Sequence, residues 1–77
     1  MEPRFLTLTD VSETLNVSLA QTKALVRSGE LVAIKIGGRG AWRVERQALE
    51  DYIDRMYAQT KDLIAREARQ GNTAPDL

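Results

Sequence analysis

This sequence predicts a mostly α-helical domain with one small β-hairpin, followed by a long C-terminal helix, and three observations carry that expectation. The signatures Thr7-Leu8-Thr9-Asp10 and Ser18-Leu19-Ala20-Gln21 each place a hydroxyl residue three positions ahead of a side chain that can return a hydrogen bond at a helix start. Two alternating apolar segments flank Gly37-Gly38-Arg39-Gly40. From Arg46 to Gln70 there is neither proline nor glycine, and apolar residues recur every three or four positions.

Composition limits what such a domain can do. With 77 residues, 43% of them hydrophobic, the chain closes one small core and has little surplus for an elaborate catalytic pocket. Cysteine and histidine are both absent, so no disulfide framework or common zinc ligand set can be drawn, and neither metal nor cofactor is expected. Glu50, Asp51 and Asp54 cluster, but on a helix they read as a solvated face, and no placed nucleophile accompanies them. An enzyme is not expected. The first fifteen residues hold Glu2, Pro3, Asp10 and Glu13 and no long apolar run, which fits neither a signal peptide nor a membrane span. A soluble, cytoplasmic protein is expected, with no membrane partner.

Taken in order, the first helix starts at the Thr7 cap, with Leu6 placed to touch Val11 as a hydrophobic staple. Leu8, Val11 and Leu15 form its apolar stripe, and it ends near Leu15, because Asn16 tolerates the left-handed conformation. The second helix opens on Ser18 and Gln21, turns Leu19, Thr22, Leu25 and Val26 toward the core, and stops at Gly29. Two short helices separated by about three residues form a helix-turn-helix. At 100° per residue, Ala20, Lys23, Ala24 and Arg27 share the opposite side of the second helix, a small and basic face that can approach a groove closely. The alternative is that Lys23 and Arg27 are ordinary solvated side chains.

In the hairpin, Val32, Ile34 and Ile36 alternate with Ala33 and Lys35, and Trp42 and Val44 with Ala41 and Arg43. The expectation is that Trp42 and Val44 face Ile34 and Ile36 across the ribbon, leaving Lys35 and Arg43 together on the outward face. Arg39 sits at the glycine-rich tip, free to meet a phosphate or enter a minor groove. A solubilising edge that discourages strand pairing is the alternative reading of these charges. The tip is not a nucleotide-phosphate loop: it lacks the Gly-Lys-Ser/Thr ending, and Ala41-Trp42-Arg43-Val44 alternates like a strand and does not open a helix. Trp42 is read as a core anchor, with base stacking as the alternative.

The net charge of zero conceals a segregation. Residues 1–15 carry Arg4 against Glu2, Asp10 and Glu13, residues 16–44 carry Lys23, Arg27, Lys35, Arg39 and Arg43 against Glu30, and residues 45–77 carry five bases against seven acids. The positive field belongs to the middle of the chain, where a footprint for phosphate would lie.

The final helix carries Leu49, Tyr52, Ile53, Met56, Tyr57, Thr60, Leu63, Ile64 and Ala68 on its stripe. Its first half can cover the core of a winged domain. Its second half continues the stripe past that core, so Tyr57, Thr60, Leu63 and Ile64 are candidates for a homo-oligomeric contact, the alternative being that the helix folds back on its own domain. The expected organisation is a winged helix-turn-helix over residues 1–57, a helical extension with a dimerisation role over 58–70, and a flexible tail over 71–77.

The stretch from Leu6 to Ile53 resembles the excisionase-type, MerR-like winged helix-turn-helix domains of bacteria and their phages. The matching pieces are Leu6-Thr7, Asn16-Val17-Ser18, Val26-Arg27-Ser28-Gly29-Glu30-Leu31, Ile36-Gly37 with Trp42-Arg43-Val44, and Ala48-Leu49 with Tyr52-Ile53. The resemblance implies selective binding of double-stranded DNA, the second helix in the major groove and the wing beside it, in a transcriptional regulator or, alternatively, an excisionase directing recombination at the nucleoid. Leu19 and Ala24 stand where family members often carry basic or polar groups, which implies fewer direct base contacts.

The DNA-binding set expected from the residues is Ala20, Gln21, Lys23, Arg27, Lys35, Arg39 and Arg43, with the Gln21 amide suited to pair with adenine. Five cations replacing counterions give a slope of log affinity against log salt of about −4 to −5 per protomer, provided that they converge on one surface. A protein-interaction module acting through the long helix is the alternative of another class. An RNA-binding role is disfavoured, because four aromatic residues, three of them suited to packing, leave no stacking platform.

Overall fold

The computed structural model describes residues 3–69, so the expected tail at 71–77 lies outside the described residues. Elements run in the order β1 (Phe5–Leu6), α1 (Leu8–Leu15), α2 (Leu19–Ser28), β2 (Ile34–Ile36), β3 (Ala41–Glu45) and α3 (Arg46–Arg69). The strands form an antiparallel sheet in the order β1-β3-β2. The fold is thus mostly helical, with a small sheet and a long C-terminal helix.

Local chemistry fixes the first two helices. At α1 the Asp10 amide donates to Thr7 Oγ1 and the Thr7 amide donates to Asp10 Oδ2, both at 3.0 Å. At α2 the Gln21 amide donates to Ser18 Oγ and the Ser18 amide to Gln21 Oε1, each at 3.1 Å. Each capping box satisfies donors that the first turn would otherwise leave unpaired. Helix α1 ends on Asn16 in the left-handed region, φ 57°, and α2 on Gly29 at φ 85°. Beyond Gly29, the Leu31 amide reaches back to the Leu25 carbonyl at 3.1 Å, which turns the chain inward.

That turn delivers Leu31 to the centre of the core, where it is fully buried with Val11, Val44 and Thr22. Val26, Leu49 and Tyr52 complete the cluster, and Leu6, Leu8, Leu15, Leu25, Trp42, Ile53 and Met56 pack around it. Thr22 is polar but satisfied, its hydroxyl donating to the Ser18 carbonyl at 3.1 Å. Leu19, expected on the core side of α2, is instead 40% exposed. It occupies the first helical position, where the chain is still approaching α1, so the core beneath Thr22 and Val26 does not reach it.

The strand at Phe5–Leu6 pairs Phe5 with Glu45 and Leu6 with Val44, so the Leu6 that flanks the α1 cap is also tied to the sheet. Strand β3 runs straight into α3, and the Arg46 amide donates to the Arg4 carbonyl at 2.7 Å. Arg55 then donates from Nη2 to the Glu30 carbonyl at 2.8 Å, tying α3 to the turn between α2 and the hairpin. Past Met56 every residue of α3 is exposed except half-buried Glu67, so the second half of the helix projects from the domain and does not fold back over it. The result is an elongated body, 53 × 26 × 19 Å.

Candidate nucleic-acid interface

Helix α2 presents its outer face as its periodicity predicts. Thr22 and Val26 are buried and Leu25 is half-buried, while Ala20, Gln21, Lys23, Ala24 and Arg27 are exposed. Lys23 and Arg27 make no ion pair or side-chain hydrogen bond among the described residues, so both can reach outward past two alanines. Arg27 also lies in the last turn, where its charge complements the helix dipole.

Gln21 is less free. Its Oε1 accepts from the Ser18 amide at 3.1 Å and lies 3.3 Å from the Ser18 hydroxyl. Pairing with adenine through both amide atoms would compete with the cap that starts the helix.

The wing departs from expectation in one decisive respect. Ile34 pairs with Arg43, Lys35 with Trp42 and Ile36 with Ala41, and residues directly opposite one another in an antiparallel ladder share a face. Lys35 therefore joins Trp42 and Val44 on the face turned to the core, while Arg43 joins Ile34 and Ile36 on the other. The expectation that Lys35 and Arg43 point the same way is incorrect. The cause is the connecting loop, four residues from Gly37 to Gly40 closed by the Gly40 amide on the Gly37 carbonyl at 3.1 Å. A loop with an even number of residues pairs even-numbered positions with odd-numbered ones, so Val44, committed to the core, takes Lys35 with it.

Lys35 is held in place on that face. Its ammonium lies 4.9 Å from the centroid of the Trp42 ring, and its stem runs so close to Gly40 that an added Cβ there would meet Cδ at 3.1 Å. Gly40 (φ 67°) and Gly37 (φ 85°) both use the left-handed region. Between them Arg39 stands exposed at the tip with no partner among the described residues.

On the opposite face, half-buried Arg43 donates from Nη1 to the Trp42 carbonyl at 2.7 Å. Around it Phe5, Val32, Ile34 and Ile36 are exposed, an apolar surface where the alternation predicted a polar one. Arg4 borders this surface, bridged to Glu45 at 2.7 Å. The five central cations thus divide: Lys23 and Arg27 on the outer face of α2, Arg39 at the wing tip, and Lys35 and Arg43 on opposite faces of the wing.

The residues assigned to the extension remain accessible. Tyr57, Leu63 and Ile64 are 76%, 48% and 59% exposed, and Thr60 is exposed beside them. No described helix is long and apolar enough to cross a membrane.

No curated protein and no solved structure matches the chain. A family model described as "Helix-turn-helix domain" matches residues 5–57, which spans every element from β1 to the first half of α3. With well over half its length so matched, and with two capped helices joined at Asn16-Val17-Ser18, the chain belongs to the helix-turn-helix domain family.

Proposed function

We propose that the protein binds double-stranded DNA selectively, with α2 in the major groove and the tip of the wing against the backbone or minor groove, and that it acts as a small transcriptional regulator of the excisionase-type, MerR-like kind. The observation that carries this reading is the outer face of α2, where Lys23 and Arg27 are exposed and unpaired among the described residues and flank two alanines. Small residues let a helix backbone approach base edges, and cations beside them neutralise phosphates. Membership of the helix-turn-helix family supports the same reading, because that motif places its second helix in the major groove.

Three cations serve this role: Lys23, Arg27 and Arg39. Lys35 is engaged on Trp42, and Arg43 is half-buried among apolar side chains. The salt dependence of binding is therefore shallower than five cations would give, with a slope of log affinity against log salt of about −3 per protomer. Titrating a fluorescent duplex selected from a random pool, at several salt concentrations, measures it. A slope near zero overturns the reading. Selectivity over scrambled duplex comes from the few base contacts of α2 and from groove shape at Arg39, which favours a narrow, AT-rich minor groove.

A further inference from the structure

The stripe that buries Leu49, Tyr52, Ile53 and Met56 does not stop where the core stops. Where α3 leaves the domain, Leu15, Tyr52, Ile53, Met56, Tyr57 and Thr60 line an almost wholly apolar groove of about 270 Å³. One turn beyond it, on the same line of the helix, Leu63 and Ile64 project with nothing against them. One surface thus holds a hollow and, about one turn away, two side chains of the size and chemistry that would fill it. Such a surface is self-complementary, which is what a twofold pairing requires.

We propose that α3 of one copy pairs antiparallel with α3 of a second copy about a twofold axis near Thr60. This pairing sets Leu63 opposite the partner's Tyr57 and Ile64 opposite the partner's Met56, so that each copy fills the other's groove. The axis falls on Thr60, small enough for two helices to approach closely.

Area decides how strong this seam is. With about 200 Å² for a whole large side chain, the exposed fractions of Tyr57, Leu63 and Ile64 give on the order of 350 Å² per copy. A pair buries roughly 700 Å², below the roughly 1,200 Å² at which standing interfaces begin. The seam is therefore weak between free molecules and becomes effective when two copies are held side by side. DNA supplies that proximity, a step that rests on the proposed DNA binding. The spacing agrees with this role. From Leu49 in the core to Thr60 is eleven residues, or about 16 Å of helix, so two cores lie about 33 Å apart along the paired helices. One turn of duplex is about 34–36 Å. With α3 along the DNA axis, the twofold presents two α2 helices to inverted half-sites about 10 base pairs apart.

The chain has no cysteine, so single-cysteine variants report the pairing without DNA. Under mild oxidation at a few hundred micromolar protein, Thr60→Cys forms a disulfide dimer at least tenfold faster than Ala58→Cys, which points from the other side of the helix. Adding Leu63→Glu abolishes the difference. Equal rates for the two cysteine variants overturn the pairing. In the second measurement, selected duplexes carry one half-site, or two half-sites inverted or in direct repeat at spacings from 8 to 16 base pairs. The native chain binds inverted sites cooperatively by about tenfold or more near 10 base pairs, and loses this a half-turn away. The combined Leu63→Glu and Ile64→Glu variant keeps single-site affinity and loses the cooperativity. Cooperativity that survives in that variant, or that favours direct repeats, overturns the coupling. Failure to bind a single half-site rejects the DNA reading alone, since the disulfide measurement contains no DNA.

Discussion

Helix α2 and the wing carry the same kind of information, an alternation of apolar and charged residues, yet only in α2 does that pattern settle which side chains face out. The difference lies in how each element is phased. A helix is phased locally: the Ser18–Gln21 box starts it and Gly29 stops it, so burying Thr22 and Val26 leaves Lys23 and Arg27 outside. A hairpin is phased by its partner strand and its loop, and here both faces of the ribbon carry apolar residues. Trp42 and Val44 compete with Ile34 and Ile36 for the core, Val44 wins, and the four-residue loop then decides what accompanies it.

The strongest way to break the comparison is at the residue joining the two regions. Leu31 lies between the α2 stop and the wing and is fully buried, so Leu31→Ala should cost about 2–5 kcal/mol in urea unfolding. A cost under about 1 kcal/mol would show that helix and wing are held independently of it. Next in size, Lys23→Ala with Arg27→Ala should lower DNA affinity at least tenfold and flatten the salt slope by about 2, with unfolding midpoints unchanged. An unchanged slope would remove α2 from the interface. Gly29→Ala meets no atom within 4 Å, so its cost should come from the left-handed backbone alone, about 1 kcal/mol, read by thermal unfolding.

The smallest effect sharpens the contrast within the wing itself. Lys35→Gln should lose about 0.5–1 kcal/mol of stability with its cation–π contact to Trp42 and leave the salt slope in place. Arg39→Gln should do the reverse, flattening the slope by about 0.9 with stability intact. If both flatten the slope equally, Lys35 leaves the indole to meet phosphate.

Most helix boundaries were legible in the sequence because capping is local chemistry. Thr7 with Asp10, Ser18 with Gln21, Asn16 and Gly29 each act within four residues of the ends that they define. The two-residue strand at Phe5–Leu6 was not legible, since its only reason to be extended is a partner 40 residues away at Glu45. The central position of Leu31 escaped for a related reason: it belongs to no periodic run and is placed by the turn around Gly29. In the interface, the α2 residues came from a 100° period. The split between Lys35 and Arg43 depended instead on whether the loop holds an even or odd number of residues, which glycine content leaves open.

The bond from Arg55 to the Glu30 carbonyl makes α3 something other than an appendage. It anchors the root of a 24-residue rod to the short turn that separates the groove-facing helix from the wing. A tug or twist on the free end of that rod is delivered to this turn before it reaches any other part of the body. Whatever grips the far end therefore holds a lever on the angle at which helix and wing are offered to the duplex.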